Sequence, residues 1–420
     1  MKLARRMALN AVAGAALLAA GIPVLAQPAG PMKGQTVKIA MIEGLSGPFA
    51  NVGQNQLKSW QFVASQLNAK ENPSGVTFEI NGFDSKSSPQ EALTLLKSVT
   101  DQGYRYITQG NGSNVAGALA DAVDKYNNRN PGKEVLFINY AAVDPSLTNE
   151  KCTYGHFRMD ADTSMKMEAL TTYMKDRPEV KNVYLINQNY SHGQQVAKYF
   201  KEGMERKRPD VKIVGEDLVP LGQVKDFAPY VAKIKQSGAD AIVTGNWGQD
   251  MTLLVKAMND AGMTTPLYAY YAAVSGTPTA LASANNLQVY QISYGHSNYA
   301  GRIGQLSDDF QKKFDLDLYT YSIYDALVML SHGFVKAKST DPMKVAPALE
   351  GLRFEGHNGD SQMRKADHQY QQGLWISKWQ KVDAKNDYSV EKTGWTFAPE
   401  KYIEMSFSST PTTCEMKRPS

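Results

Sequence analysis

Residues 37–67, VKIAMIEGLSGPFANVGQNQLKSWQFVASQL, contain one repeating unit of the fold. Residues 37–42 are a short apolar run rich in β-branched side chains, residues 44–48 a Gly/Ser/Pro turn, and residues 54–67 an amphipathic stretch. That order predicts a buried strand followed by a helix. Outward from it the alternation continues: strand-like 76–80 precedes helix-like 89–99, 104–108 precedes 115–126, and 135–140 follows. It restarts after Arg158 with a helical pattern at 164–174, then strands at 183–187, 211–214, 241–244 and 267–271 separated by helices at 194–206, 227–235 and 251–261. Strands alternating with helices of this length build parallel sheets covered on both faces. Two such runs predict two doubly wound α/β lobes, in keeping with a length above one core's usual reach of about 150 to 200 residues. The later pieces, a strand at 289–294, helices at 324–336 and 342–349 and a strand at 374–379, are too few for a third domain. They are expected to complete the two lobes, with the chain crossing between them more than once. The expected partition is 35–157 plus about 291–368 for the first lobe, 158–290 plus about 369–405 for the second, and a tail at 406–420.

The N-terminus sets the compartment. Lys2, Arg5 and Arg6 precede an apolar run at 11–20, and Val24, Leu25 and Ala26 supply small or apolar residues for cleavage before Gln27. This pattern predicts a signal peptide at 1–26 cleaved after Ala26, exported by the general secretory route. The run is short of the ~20 residues a membrane span needs. Loss of three of the 45 basic residues against 41 acidic ones leaves a nearly neutral chain, formally +1. Such a surface gives no electrostatic reason for nucleic acid or anionic membrane as a partner. Cys152 and Cys414 lack the close pairing of a zinc site, so a disulfide is expected in an oxidising compartment, with two free thiols as the alternative.

Doubly wound sheets bind ligands beyond the carboxyl ends of their strands, which directs attention to the loops there. Gly110-Asn111-Gly112-Ser113-Asn114 follows a strand and opens a helix, but the next glycine is Gly117, so a dinucleotide fingerprint is not met. What remains is either a set of backbone N–H groups suited to a carboxylate or an ordinary glycine-rich helix start. No phosphate loop, nucleophile elbow or zinc-protease motif occurs, the six histidines lack ligand spacing, and Asp315 and Asp317 lack the rest of a calcium loop. No cofactor, metal or catalytic residue is therefore expected. Tyr190, His192 and Gly193 fall in a strand-end loop, and Trp247, Tyr268, Tyr270 and Tyr271 cluster near two others. Of these, Trp247 and Tyr271 are expected in a cleft and Tyr268 in the core.

Together, residues 39–48, 84–96, 110–117, 139–145, 190–193 and 225–227 resemble, in order and spacing, the type I periplasmic binding proteins of the leucine/isoleucine/valine-binding class. The resemblance implies two Rossmann-like lobes joined by a multi-crossing hinge, closing on a ligand for an ABC permease and its ATPase in the inner membrane. It also implies a periplasmic, monomeric protein that is not an enzyme. The family's serine loop maps to Asn111, Gly112 and Ser113, its Ala-x-Thr segment to Ala141 and Val143, and a tyrosine of the second lobe to His192. With Ser46, Trp247, Asp250 and Tyr271 these make the expected contact set. Val143 offers no hydroxyl, Val52 stands where the family has tyrosine, and Tyr270 or Tyr271 stands at the family's acidic position. Asp250 or Glu43 would then have to meet a ligand ammonium, and a small aromatic or aliphatic acid is the other cargo class. Two alternatives use the same fold: a secreted hydrolase working through Tyr190, His192 or Asp250, and a sensory subunit docked on a receptor.

Overall fold

The computed structural model describes residues 30–70, 72–284 and 286–419; the expected signal peptide and its cleavage after Ala26 lie outside the described residues. β1 (Thr36–Glu43) leads through a short turn of helix at Gly47–Phe49 into α1 (Ala50–Lys70). There follow β2 (Thr77–Asp84), α2 (Pro89–Asp101), β3 (Tyr106–Gln109), α3 (Ser113–Arg129), β4 (Leu136–Asn139) and β5 (His156–Arg158). The five strands form an all-parallel sheet in the order β2-β1-β3-β4-β5. Alternation along β1 divides its side chains between two layers. Ile39 and Met41 pack with Trp60 and Val63 of α1, while Ala40 and Ile42 pack with Ala92 of α2 and Val115 of α3.

The second lobe repeats the plan: α4 (Thr163–Met174), β6 (Asn182–Gln188), α5 (Ser191–Lys207), β7 (Lys212–Val219), α6 (Ala228–Ser237), β8 (Ala241–Thr244), α7 (Gly248–Asp260), β9 (Leu267–Ala269), α8 (Thr277–Ala282) and β10 (Val289–Ser293). α9 (Gly301–Phe314) and α10 (Ser322–Ala337) return to pack on α1, where Phe310 meets Phe62 edge to face. α11 (Pro342–Leu349) and a small antiparallel sheet of β11 (Arg353–Gly356), β12 (Gly359–Met363) and β13 (Tyr370–Gln371) follow. β14 (Leu374–Lys381) and β15 (Trp395–Ile403) then add antiparallel edges, giving the order β15-β14-β10-β9-β8-β6-β7. Its parallel part has the same strand order as the first sheet. The chain passes between the two large sheets after Arg158, after Ser293 and before Leu374.

The tail makes a further link. α12 (Met405–Ser408) lies against α4, after which Thr412 Oγ1 donates to the Thr148 carbonyl and Thr413 N to Asn149 Oδ1. Cys414 closes a disulfide with Cys152 across 262 residues of sequence. A cross-link closing so long a loop removes much conformational freedom from the unfolded chain. Cys414→Ser is expected to cost about 2–4 kcal/mol, visible as a lower urea midpoint under non-reducing conditions; an unchanged midpoint would show that the tail's hydrogen bonds alone fix it.

Candidate functional site

In both large sheets the strand order reverses beside the first strand of the lobe, and the loops on either side open a crevice there. In the first lobe that crevice lies between the ends of β1 and β3. Glu43, at the end of β1, is buried and places its carboxylate across the gap. It accepts from Gly44 N (2.9 Å), Gly110 N (2.9 Å), Asn111 N (3.1 Å) and the Tyr140 hydroxyl (2.6 Å). Burial pushes its carboxyl above the usual range while these donors oppose the shift. The effect is to pin the 110–113 turn. Gly112, at φ +87°, is the N-cap of α3 and carries no side-chain cap. In the first turn of α3 Val115 N donates to the Gly112 carbonyl at 3.0 Å, the N–H groups before it have no intrahelical acceptor, and Gly112 and Ser113 line the crevice. Ala141 and Val143, from the loop after β4, extend the same wall.

The facing wall is aromatic. Tyr190 follows β6, Trp247 follows β8 and Tyr271 follows β9, and Trp247 Nε1 donates to the Tyr190 hydroxyl at 2.8 Å. The lobes touch across the mouth, where Phe49 stacks on Trp247 with centroids 4.2 Å apart and Asn51 Nδ2 donates to the Ser275 carbonyl at 2.9 Å. Val52 and Val274 complete this apolar contact. Gly248 permits it: its φ is +59°, and a Cβ there would come within 2.8 Å of the Phe49 ring. The cleft between these walls has a volume of about 630 Å³, part of it open to solvent.

Its floor is the first crossing segment. Asp160 is buried, and its Oδ2 accepts from Lys166 Nζ at 2.8 Å and from the Tyr270 hydroxyl at 2.9 Å. Lys166 is buried too, with Nζ over the Tyr270 ring. Burial pushes Asp160 up to about 6 against the pull of Lys166, and burial pulls Lys166 down to about 7 against the pull of Asp160. The other oxygen, Oδ1, has no protein partner among the described residues, and Asp160 lines the cleft. A buried carboxylate oxygen without a full hydrogen bond is costly, and the Ala161 backbone N–H beside this carboxylate offsets part of that cost.

A sequence profile described as periplasmic binding protein matches residues 36–386. The chain belongs to the periplasmic binding protein family. The Leu/Ile/Val-binding protein homolog 4 of Brucella abortus is 29% identical over 401 residues, covering 92% of this chain and 94% of that protein. Among solved structures, the leucine-, isoleucine-, valine-, threonine- and alanine-binding protein from Brucella ovis, in a closed conformation, matches with TM-score 0.80 and 28% identity, covering 92% of this chain and all of that one. A solute-binding protein of an ABC transporter from Rhodopseudomonas palustris HaA2, in complex with p-hydroxybenzoic acid, matches in fold at TM-score 0.74 and 19% identity, covering 88% and 98%.

Within this periplasmic binding protein, Asn111, Gly112, Ser113, Ala141, Val143, Trp247 and Tyr271 meet around the cleft, as do Val52 and Tyr270. Ser46, His192 and Asp250 do not line it. Ser46 sits in the exposed turn after β1 and bonds the Asp84 carboxylate. His192 lies behind the wall, with Nδ1 2.8 Å from Thr163 Oγ1 and Nε2 3.3 Å from the Gly245 carbonyl. Burial holds it neutral, at about 4, so Nε2 donates and Nδ1 accepts. Asp250 ties the start of α7 to its surroundings, its Oδ2 accepting from Gln188 Nε2 at 2.7 Å and Gly222 N at 2.8 Å. Glu43 spends its carboxylate on the 110–113 turn. Neither acid expected to meet an ammonium lines the cleft, and Asp160 does. Gln56, Tyr294 and Tyr319 also line the cleft without any prior sign.

Proposed function

We propose that this chain captures an amino acid or related small organic acid between its lobes by hinge closure and hands it to an ABC permease and its ATPase. The observation that carries the reading is the polarity of the closed cleft. The uncapped start of α3 faces it from one lobe, the unpartnered Oδ1 of Asp160 lies at its floor, and aromatic rings fill the space between. A ligand carboxylate meets the N–H groups at Gly112 and Ser113, and an ammonium or hydroxyl of the same ligand donates to Asp160. Binding-protein relatives work with such permeases and ATPases on small ligands. Export through a signal peptide cut after Ala26, a monomeric state and lobes at 35–157 with 291–368 and 158–290 with 369–405 belong to the same proposal. The hydrolase alternative is not favoured, because His192 and Asp250 are held by separate partners and Tyr190 accepts from Trp247.

A thermal-shift screen over leucine, other amino acids, benzoate and 4-hydroxybenzoate tests it. A probe at 100 times its Kd adds about 2.7 kcal/mol to stability, a clear rise in Tm. Recovery of the probe unchanged after incubation is expected. Turnover of a bound probe, or no shift from any amino or aromatic acid, would remove the reading.

A further inference from the structure

The main cleft does not end at its aromatic wall. A second pocket, of about 360 Å³ with the space open to solvent included, shares Ala273, Gln291, Ser293 and Tyr319 with it and runs along the crossing segments at 293–297 and 317–321. Resting on the solute-binding reading above, we propose that this chamber is a second ligand subsite, which holds the neutral, hydrogen-bond-accepting far end of a ligand longer than a simple amino acid or a benzoate.

The chemistry of the chamber selects that end. His296 lines it and is 9% exposed. Its Nδ1 accepts from Asn298 N at 3.1 Å, which places the proton of the neutral ring on Nε2. Burial holds the ring neutral, at about 4. Its only side-chain hydrogen bond among the described residues is through Nδ1, which leaves Nε2–H of this lining residue available as a donor. Asp317 is the one carboxylate in the lining, and it is already engaged: Oδ1 accepts from Gln311 Nε2 at 2.7 Å and the Tyr388 hydroxyl at 2.9 Å, and Oδ2 from Glu391 N at 2.6 Å. Three of its roughly four acceptor sites are thus taken by the protein. With the rings of Tyr321 and Tyr388 as walls, the chamber suits an amide or ureido carbonyl on an apolar spacer, while the ligand's carboxylate stays at Gly112 and Ser113.

Two probe pairs test this by calorimetry, benzoate against 4-acetamidobenzoate and norvaline against citrulline. Within each pair the second member keeps the head group and adds a carbonyl at the far end. In at least one pair the longer probe is expected to bind tenfold or more tightly than the shorter. His296→Phe, which keeps the ring and removes the donor, is expected to bring that ratio close to one. Should His296→Phe fail to fold, Ser297→Trp fills the same chamber from its wall and gives the same readout. A longer probe that never binds better, or a preference unmoved by these substitutions, overturns the subsite while binding of the shorter probe leaves the solute-binding reading standing. No binding by any of the four removes both.

Discussion

Replacing Arg158 with methionine is expected to lower the stability of the folded chain by about 3–5 kcal/mol, the largest single loss foreseen for a residue away from ligand. The guanidinium is fully buried where the first and third crossings run side by side. Arg158 N donates to the His368 carbonyl, and its side chain donates to Gln369 Oε1 (2.6 Å), to Asp162 Oδ2 (2.9 Å), to the Asp144 carbonyl and to Thr148 Oγ1. Methionine keeps much of the volume, but it strands the Asp162 carboxylate in the interior without its cation. Desolvation of an unpaired charge exceeds what better packing returns. Urea unfolding measures the effect as a fall in midpoint with little change in slope. A loss below about 1 kcal/mol would show that water, not protein, meets Asp162.

Asp160→Asn is expected to have two separable effects. It removes the negative charge of the acceptor proposed for the ligand's donor, where a hydrogen bond to a charged group is worth about 1.5–3 kcal/mol, so affinity for an ammonium-bearing ligand should fall ten- to a hundredfold. It also leaves Lys166 buried without its partner. The folded-state pKa of that lysine, already lowered to about 7 by burial, then drops further below the 10.5 of an exposed lysine. The unfolded state then holds more protons across that window, so the variant loses stability as pH falls through it and is weaker at pH 6 than at pH 8. Adding Lys166→Met removes both members of the pair, which is often neutral to stability. The double variant should recover its unfolding midpoint but not its affinity. Recovery of both would make Asp160 a partner of Lys166 and nothing more.

Much of the architecture is legible along the chain because parallel strands buried on both faces read as apolar runs, as residues 37–42 and 135–140 do. Strand order is not legible: nothing local says that β1 lies between β2 and β3. The glycine pattern at 110–112 does mark the start of α3, since a positive φ and close backbone approach need glycine there. Facing direction is what local sequence lacks. His192 and Asp250 sit in strand-end loops as expected, yet each turns away from the cleft to satisfy buried neighbours. Asp160 carries no motif, and Lys166 occupies an ordinary helical position. Their value comes from burying both charges at one crossing, a property of the assembled lobes. α9 is absent from the expected elements although Ile303, Leu306, Phe310 and Phe314 fall on one helical stripe, and β11 to β13 are too short for periodicity to show.

The central claim is that ligand is held by closure of one lobe on the other, with Phe49 on Trp247 as the contact at the mouth. Small-angle scattering, with and without saturating amounts of the amino acid or aromatic acid that raises Tm most, tests it most directly. The account predicts a smaller radius of gyration with ligand, and a reduced change when Trp247→Ala weakens the contact. Identical radii at confirmed saturation would contradict it.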